Sequence, residues 1–345
     1  MNPKTLFLTN NALTRKRWAK DLFKVILPNL EYNDLVGSGT DAIVQMRTEL
    51  GKGEGDVVTM GIRYPLTGEG VVGNDDITGK EERLIFKDFS LTIEELNHAV
   101  DTGGKMEEQR IPYNLLLEGK SGLQDWWADK LSTMLINHLA GITTYRVAGK
   151  TFAQNPSAAD TGHAMTVNDV AEASLTSADA MDLSFLDRMK QRAEIPATNC
   201  LKLRPLKKGG KNYYRVILHN YVFDQLRQNT NIGQWGDLLR AANKLQVPSV
   251  EIEYNGMLIS KSERIPAVGT NIYRNLFLGS QAACIAWGGA GDSKGTVMAF
   301  HPYTRDADRF LMVRGGGILG VKKVVFNGYD YGVITGSSYA VALGS

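Results

Sequence analysis

Residues 55–93 read GDVVTMGIRYPLTGEGVVGNDDITGKEERLIFKDFSLTI. Val58, Met60, Ile62 and Tyr64 recur at every second position, and so do Phe89, Leu91 and Ile93, with Ile85 on the same parity. Period two puts each set on one face of an extended strand. The stretch therefore predicts two strands paired as a hairpin. Between them lies PLTGEGVVGNDDITGKE, residues 65–81, far longer than the tight turns of about two to five residues that usually close hairpins. A loop of this length in a compact domain is usually functional, so this tip is expected to project and touch something.

Upstream, GSGTDAIVQMRTELGKGEGD (37–56) is Gly-rich and reads as loop, while Trp18, Leu22 and Val25 fall at i, i+4 and i+7 behind Thr14, which predicts a short amphipathic helix. Downstream, Thr92 with Glu95 and Ser121 with Gln124 have capping-box spacing. The first predicts a helix over LNHAV. The second predicts a long helix over WWADKLSTMLINHLAG, in which Leu123, Trp127, Leu131 and Leu135 form a buried ridge flanked by Trp126 and Met134, with Gly141 as its stop. Residues 149–181 are rich in Ala, Ser, Thr and Asn and read as an irregular excursion, and a domain boundary is expected near 195. Beyond it, ATNCLKLRPL, NYYRVILHN, SVEIEYNGMLIS and the segments after 295 read as strands, whereas YVFDQLRQN and WGDLLRAANKL read as helices. No regular βαβ alternation appears, so the fold class is α+β.

The chain has 345 residues, 43% of them hydrophobic and 22% charged, which predicts a globular protein of about two domains. No apolar run is long enough for a membrane span or a secretory leader. Cys200 and Cys284 are too few for a disulfide framework. The net charge of +2 excludes a globally basic nucleic-acid binder, but the charge is uneven. Residues 1–24 carry six bases, Arg15, Lys16, Arg17 and Lys20 among them, against one acid, and Arg188 to Arg215 carry nine against one. Either stretch reads as a contact for phosphate or an acidic partner, or as a solvated face.

Motifs that resemble active-site signatures fail on context. GDSKG (291–295) has the spacing of a nucleophile elbow around Ser293, but strand-like sequence follows and no acid lies between Ser293 and His301. GGGILG (315–320) has dinucleotide-loop spacing but precedes another strand, and predicts a glycine-lined bend between strands. GNDDITGKE (73–81) is one residue too long for a phosphate loop and has Glu81 where Ser or Thr is required. The five histidines lie at least 25 residues apart and give no local metal signature. No catalytic residue, cofactor site or metal site is predicted.

The ordered set of segments resembles the major capsid proteins of tailed bacteriophages, in the N4-like group, with the Hong Kong 97-type fold. The resemblance rests on GKGEGDVVTMGIRYPLTGEGVVGNDDITGKEERLIF, on HAVDTGGKMEEQRIPYNLL leading into DWWADKLSTMLINHLAG, on YRVILHNYVFDQLR and VEIEYNGMLISKSERIP, and on LGSQAACIAWG with GVKKVVFNGYDYGVI. It implies an N-terminal arm at 1–55, an extended hairpin loop at 56–92, a peripheral domain with its spine helix at 93–194, an axial domain at 195–303, and return strands to the peripheral domain at 304–345. It also implies self-assembly as hexamers and pentamers of an icosahedral shell. In that shell Val58, Met60, Ile62, Ile85 and Phe89 would gain burial from a neighbouring subunit, and Arg15, Lys16, Arg17 and Lys20 would face packaged double-stranded DNA without sequence preference.

The absence of a long charged helical leader implies a separate scaffolding protein. A portal protein and a decoration protein are further implied partners, no membrane is implied, and the implied location is the virion, assembled in the host bacterial cytoplasm. The alternatives are a β-rich adhesion or binding module of a phage particle and a hydrolase using Ser293.

Overall fold

The computed structural model describes residues 33–49, 55–64, 66, 68–73, 76–110, 115–197, 200–208, 210–229, 252–289 and 298–343. Short strands β1 (Val36–Gly37) and β2 (Val44–Arg47) precede the hairpin strands β3 (Val57–Arg63) and β4 (Phe86–Thr92). Then come β5 (Glu94–Gly104), helix α1 (Lys105–Arg110) and the long helix α2 (Leu115–Leu139). After β6 (Ala164–Thr166) and α3 (Leu183–Glu194) lie β7 (Leu206–Lys208), β8 (Lys211–His219) and α4 (Asn220–Gln228). The remaining described strands are β9 (Ile252–Tyr254), β10 (Met257–Ser262), β11 (Ala267–Gly269), β12 (Ile272–Leu278), β13 (Ala283–Trp287), β14 (Met298–Arg305), β15 (Phe310–Lys323), β16 (Val325–Phe326), β17 (Tyr329–Asp330) and β18 (Val333–Tyr339).

Two sheets organise the chain. One has six strands in the order β1-β2-β13-β15-β14, with β5 also paired to β15. The other has eight, in the order β6-β18-β12-β8-β10-β9, with β11 on β12 and β7 on β8. The chain crosses between the sheets more often than a division at 195 and 303 implies. β13 and β14 lie in the six-stranded sheet, β15 stays there, and β18 enters the eight-stranded one.

Helix α2 is about 37 Å long at 1.5 Å per residue. Its predicted ridge is buried, with Leu123, Trp127, Leu131 and Leu135 each at 4% exposure or less, and it packs on β15 and β5. The glycine stop is also present. Gly141 takes φ +68°, its N–H donates to the His138 carbonyl at 3.2 Å, and the Ile142 N–H donates to the Asn137 carbonyl at 3.1 Å. These are the two bonds of a Schellman ending, which needs a left-handed residue where they close. The helix begins six residues before Ser121, so that residue lies inside it and does not cap it.

Three further expectations are corrected. Thr92 and Glu95 start no helix, because Glu94–Gly104 is a strand paired with β15 from Leu319 to Phe310. Leu96, His98 and Val100 alternate toward α2, where His98 stacks on Trp126 at 4.3 Å between ring centres, and this tertiary ladder overrides the local capping signal. Nor is GGGILG a bend. β15 runs unbroken through it, with β5 and β14 paired to it on either side, and the glycines clear space above the sheet: a Cβ on Gly315 would lie 3.1 Å from Trp127 Nε1. Finally, Val44–Arg47, expected as loop, is strand β2, parallel to β13.

Asn255 and Gly256 join β9 to β10 with φ of 45° and 69°, the pair of positive φ angles that a two-residue type I′ hairpin turn requires. NYYRVILHN and YVFDQLRQN form β8 and α4 as expected. The helices expected around Trp18 and over WGDLLRAANKL lie outside the described residues.

Candidate assembly surface

β3 and β4 pair antiparallel with Val58 opposite Leu91, Met60 opposite Phe89 and Ile62 opposite Lys87. The register puts Val58, Met60, Ile62, Phe89 and Leu91 on one face, as the period-two pattern predicts. That face is not uniform along its length. At the root, Phe89 (3% exposed) and Leu91 (0%) are buried against Cys284, Ala286, Val324 and Phe326 of their own chain. The Phe89 and Phe326 rings are 6.1 Å apart, and Lys322 Nζ lies 4.9 Å from the Phe89 ring centre while donating to the Ser90 carbonyl at 2.7 Å. Phe89 is therefore corrected from an intersubunit contact to a root residue, because folding of the subunit already covers it.

Val58, Met60 and Ile62 are half-buried against the same small cluster. Ile85 is 54% exposed, and its neighbours Leu84 and Phe86 are 51% and 64% exposed. Val57, Leu66, Val72 and Ile77 are exposed as well, so seven of the thirteen large apolar side chains exposed among the described residues belong to 57–86. Such clustering marks an interaction surface, whereas apolar residues exposed singly mark nothing. Sequence parity found Ile85 but passed over Phe86, which lies opposite Arg63 on the other face. The available signal was the density of apolar residues inside a Gly- and Asp-rich loop.

Beyond the paired strands the loop is held by carboxylates on backbone amides. Gly68 N–H donates to Glu82 Oε2 at 2.7 Å, Thr78 N–H to Asp76 Oδ1 at 2.9 Å, and Gly79 N–H to Glu81 Oε2 at 2.7 Å. The Thr78 amide holds the Asp76 carboxyl below its ordinary range. Gly70, Gly73 and Gly79 take φ between 70° and 84° with open space where a Cβ would point. These glycines serve the turns of the tip. Over 64–85 the sequence carries five acids, Glu69, Asp75, Asp76, Glu81 and Glu82, against Lys80 and Arg83, so the tip is acidic as well as apolar.

Five of the nine bases in the second basic stretch make contacts within the subunit. Arg188 pairs with Asp169 at 2.5 Å, Lys190 donates to Asn255 at 2.9 Å, Arg192 to the Gly162 carbonyl at 3.2 Å, and Arg204 pairs with Asp41 at 2.8 Å. Arg215 is 1% exposed and lies 3.6 Å from Asp34. These five residues serve as internal ties. Arg15, Lys16, Arg17 and Lys20 lie outside the described residues, as does Ser293.

Comparison with known proteins agrees with this architecture. A family model described as phage capsid protein matches residues 7–257. The major capsid protein of Pseudomonas phage KPP25 is 26% identical over an alignment of 240 residues that covers 64% of this chain and 62% of that relative, so the match spans less than two thirds of the relative's length. Among solved structures, the capsid of Ralstonia phage GP4 superposes with a TM-score of 0.75 at 23% identity, covering 90% of this chain and 91% of that one. The capsid of cyanophage Pam1 gives 0.72 at 16% identity, covering 91% and 93%. The head of Helicobacter pylori bacteriophage KHP40 gives 0.64 at 15% identity, covering 91% of each chain. The two sheets, the long helix and the rooted hairpin are thus the Hong Kong 97-type arrangement of these shells, and the chain, matched over most of its length by the family model, belongs to the phage capsid protein family.

Proposed function

We propose that this chain is a major capsid subunit that self-assembles, as hexamers and pentamers, into the icosahedral head shell of a tailed phage around double-stranded DNA. The observation that carries the reading is the hairpin, which roots itself in its own subunit through Phe89 and Leu91 and leaves Leu84, Ile85 and Phe86 exposed. A two-stranded ribbon cannot bury its faces alone. The exposed apolar residues are therefore assigned to a neighbouring copy, together with the outer parts of Val58, Met60 and Ile62. Each contact is worth only about 25 cal/mol per Å² buried before the cost of association, but closed symmetry repeats it around the shell.

In this reading α2 with the six-stranded sheet forms the peripheral domain, and the eight-stranded sheet forms the axial domain. Arg15, Lys16, Arg17 and Lys20 face the DNA through charge alone, which makes that contact salt-sensitive. The role is structural and non-enzymatic. A separate scaffolding protein, a portal protein and a decoration protein complete the particle, which is assembled in the bacterial cytoplasm. Among the described residues no helix is long and apolar enough to cross a membrane.

The test is negative-stain microscopy with light scattering on the purified chain, with and without a candidate scaffolding protein. Closed shells tens of nanometres across support the reading. A small fixed oligomer under both conditions turns it toward an adhesion module.

A further inference from the structure

Three donors from two distant segments meet beside α3. Asp160 and His163 lie on the excursion after α2, and Cys200 follows α3. Their ligand atoms, one from each residue, all lie within 4.8 Å of one another. His163 Nδ1 is 2.7 Å from Asp160 Oδ2, and Cys200 Sγ is 3.9 Å from Asp160 Oδ1. The side chains of His163 and Asp160 are 1% and 8% exposed, while Cys200 is only partly buried, so the group is walled on the protein side and open at the sulfur.

We propose that Asp160, His163 and Cys200 form a site for a first-row divalent metal, with zinc as the fitting ion and water in the fourth position. Imidazole nitrogen, thiolate sulfur and carboxylate oxygen are the three donor types zinc accepts, at roughly 2.0 to 2.3 Å, which sets neighbouring ligands of a tetrahedral ion about 3.5 Å apart. The distance from Cys200 Sγ to Asp160 Oδ1 is close to that spacing, while the imidazole nitrogen meets the other carboxylate oxygen, Oδ2. The shorter Nδ1 to Oδ2 distance is a hydrogen bond that opens by under about 1 Å as the ion replaces the proton.

Two features point to a built site beyond proximity. Asp160 is held in place by the backbone: Gly162 and His163 N–H donate to Oδ1 at 2.7 and 2.9 Å, and Asp330 N–H donates to Oδ2 at 2.7 Å. Outer contacts of this kind orient a ligating carboxylate. Gly162 clears the approach of the thiol, since a Cβ there would lie 2.2 Å from Cys200 Sγ.

The charges also balance. Lys323 and Asp330, buried beside the group with Nζ 2.8 Å from Oδ1, neutralise each other. Zinc then meets one carboxylate and one thiolate. Binding releases the thiol proton of Cys200 to solvent, and the proton that Nδ1 shares with Asp160 Oδ2 passes to Nε2 as the ion takes its place.

The experiment measures zinc per chain by plasma mass spectrometry on the purified full-length protein after dialysis against buffered micromolar zinc. Cobalt(II) substitution is read in parallel. The wild type is expected to hold about one zinc per chain and to show a thiolate-to-cobalt absorption band in the near ultraviolet. Cys200→Ser, a conservative change at a half-buried position, should keep the circular dichroism spectrum, lose the band and weaken zinc binding at least about tenfold. Gly162→Ala removes no donor but should lower zinc occupancy by displacing the sulfur. Zinc below roughly a tenth per wild-type chain overturns the site, as does equal occupancy in folded Cys200→Ser. The other cysteine, Cys284, is buried in β13 and is not part of the group, so the band reports on Cys200 alone.

Discussion

Arg274 holds Glu172 by a two-pronged contact, with Nε 2.7 Å from Oε1 and Nη2 2.6 Å from Oε2. Its Nη1 donates to the carbonyls of Ala140 and Gly141, each at 3.2 Å, so the same cation closes the C-terminal end of α2, where a positive charge is favoured. Glu172 also accepts from Ser337 Oγ of β18 at 2.5 Å. The long helix and the eight-stranded sheet are thereby tied through one guanidinium. Lysine keeps the charge but not the fork, so Arg274→Lys is expected to cost about 1.5–3 kcal/mol in urea unfolding. The Arg274 contact holds the Glu172 carboxyl below its ordinary range. The stability it contributes is therefore present above the unfolded pKa of about 4.5 and lost as pH falls through the lower folded value. A variant as stable as wild type at pH 7 would remove this role for the pair.

Gly320 of β15 faces Thr92, and a Cβ there would sit 2.0 Å from the Thr92 carbonyl oxygen. Gly320→Ala must push the hairpin root off the sheet, at a cost of about 1–3 kcal/mol or more. Gly122→Ala is the matched control: it lies inside α2 with nothing within 4 Å of the new methyl, and should stabilise by about 0.5–1 kcal/mol. Thermal melts of the two should move in opposite directions.

Phe86 and Phe89 are three residues apart and carry different duties. Phe89→Ala removes a ring buried in the root and should destabilise the subunit by about 3–5 kcal/mol. Phe86→Asp changes a 64% exposed side chain and should leave the melting temperature within about 2 °C while abolishing shells in the microscope. Shells of normal yield from Phe86→Asp would separate the hairpin from assembly.

Burial holds the His138 imidazole down at about 4, with Lys322 and Lys323 adding repulsion. The unfolded chain takes up this proton near pH 6.5, whereas the folded one refuses it until about pH 4. Stability should therefore fall as pH drops across that window, by roughly 3 kcal/mol from this group. His219 is held down at about 4 by burial too and adds to the slope. Replacing His138 with Leu should reduce the proton uptake on unfolding at pH 5 by about one, measured from the pH dependence of the urea midpoint. An unchanged slope would mean that the histidine is already charged in the fold.

The hairpin, the ridge of α2 and its glycine ending were legible because each is a local pattern: period two, period 3.6, and one left-handed residue at the right place. LNHAV was misread because its spacing suits a helix cap equally well, and only β15, more than 200 residues away in sequence, makes it a strand. The glycines of β15 looked like a bend for the same reason, since their partners Trp127 and Asn97 cannot be seen from the local sequence. Within the hairpin, parity identified the inward face correctly but could not divide Phe89, covered by Phe326 of its own chain, from Ile85, which the fold leaves more than half exposed. Asp160 and Cys200 meet only after the chain has folded, so their spacing of 40 residues carried no signal.

The hairpin is joined to the six-stranded sheet through Ile93, which leads from β4 directly into β5. A tug from a neighbour on the exposed end therefore arrives at β5, whose nine register pairs lock it to β15. Pulled along its length, such a strand can slip only if its bonds yield together, whereas one peeled from the side gives way bond by bond. In the proposed shell, outward pressure from packaged contents would load this seam across the whole ladder, and mechanical failure should begin at the turns of the tip.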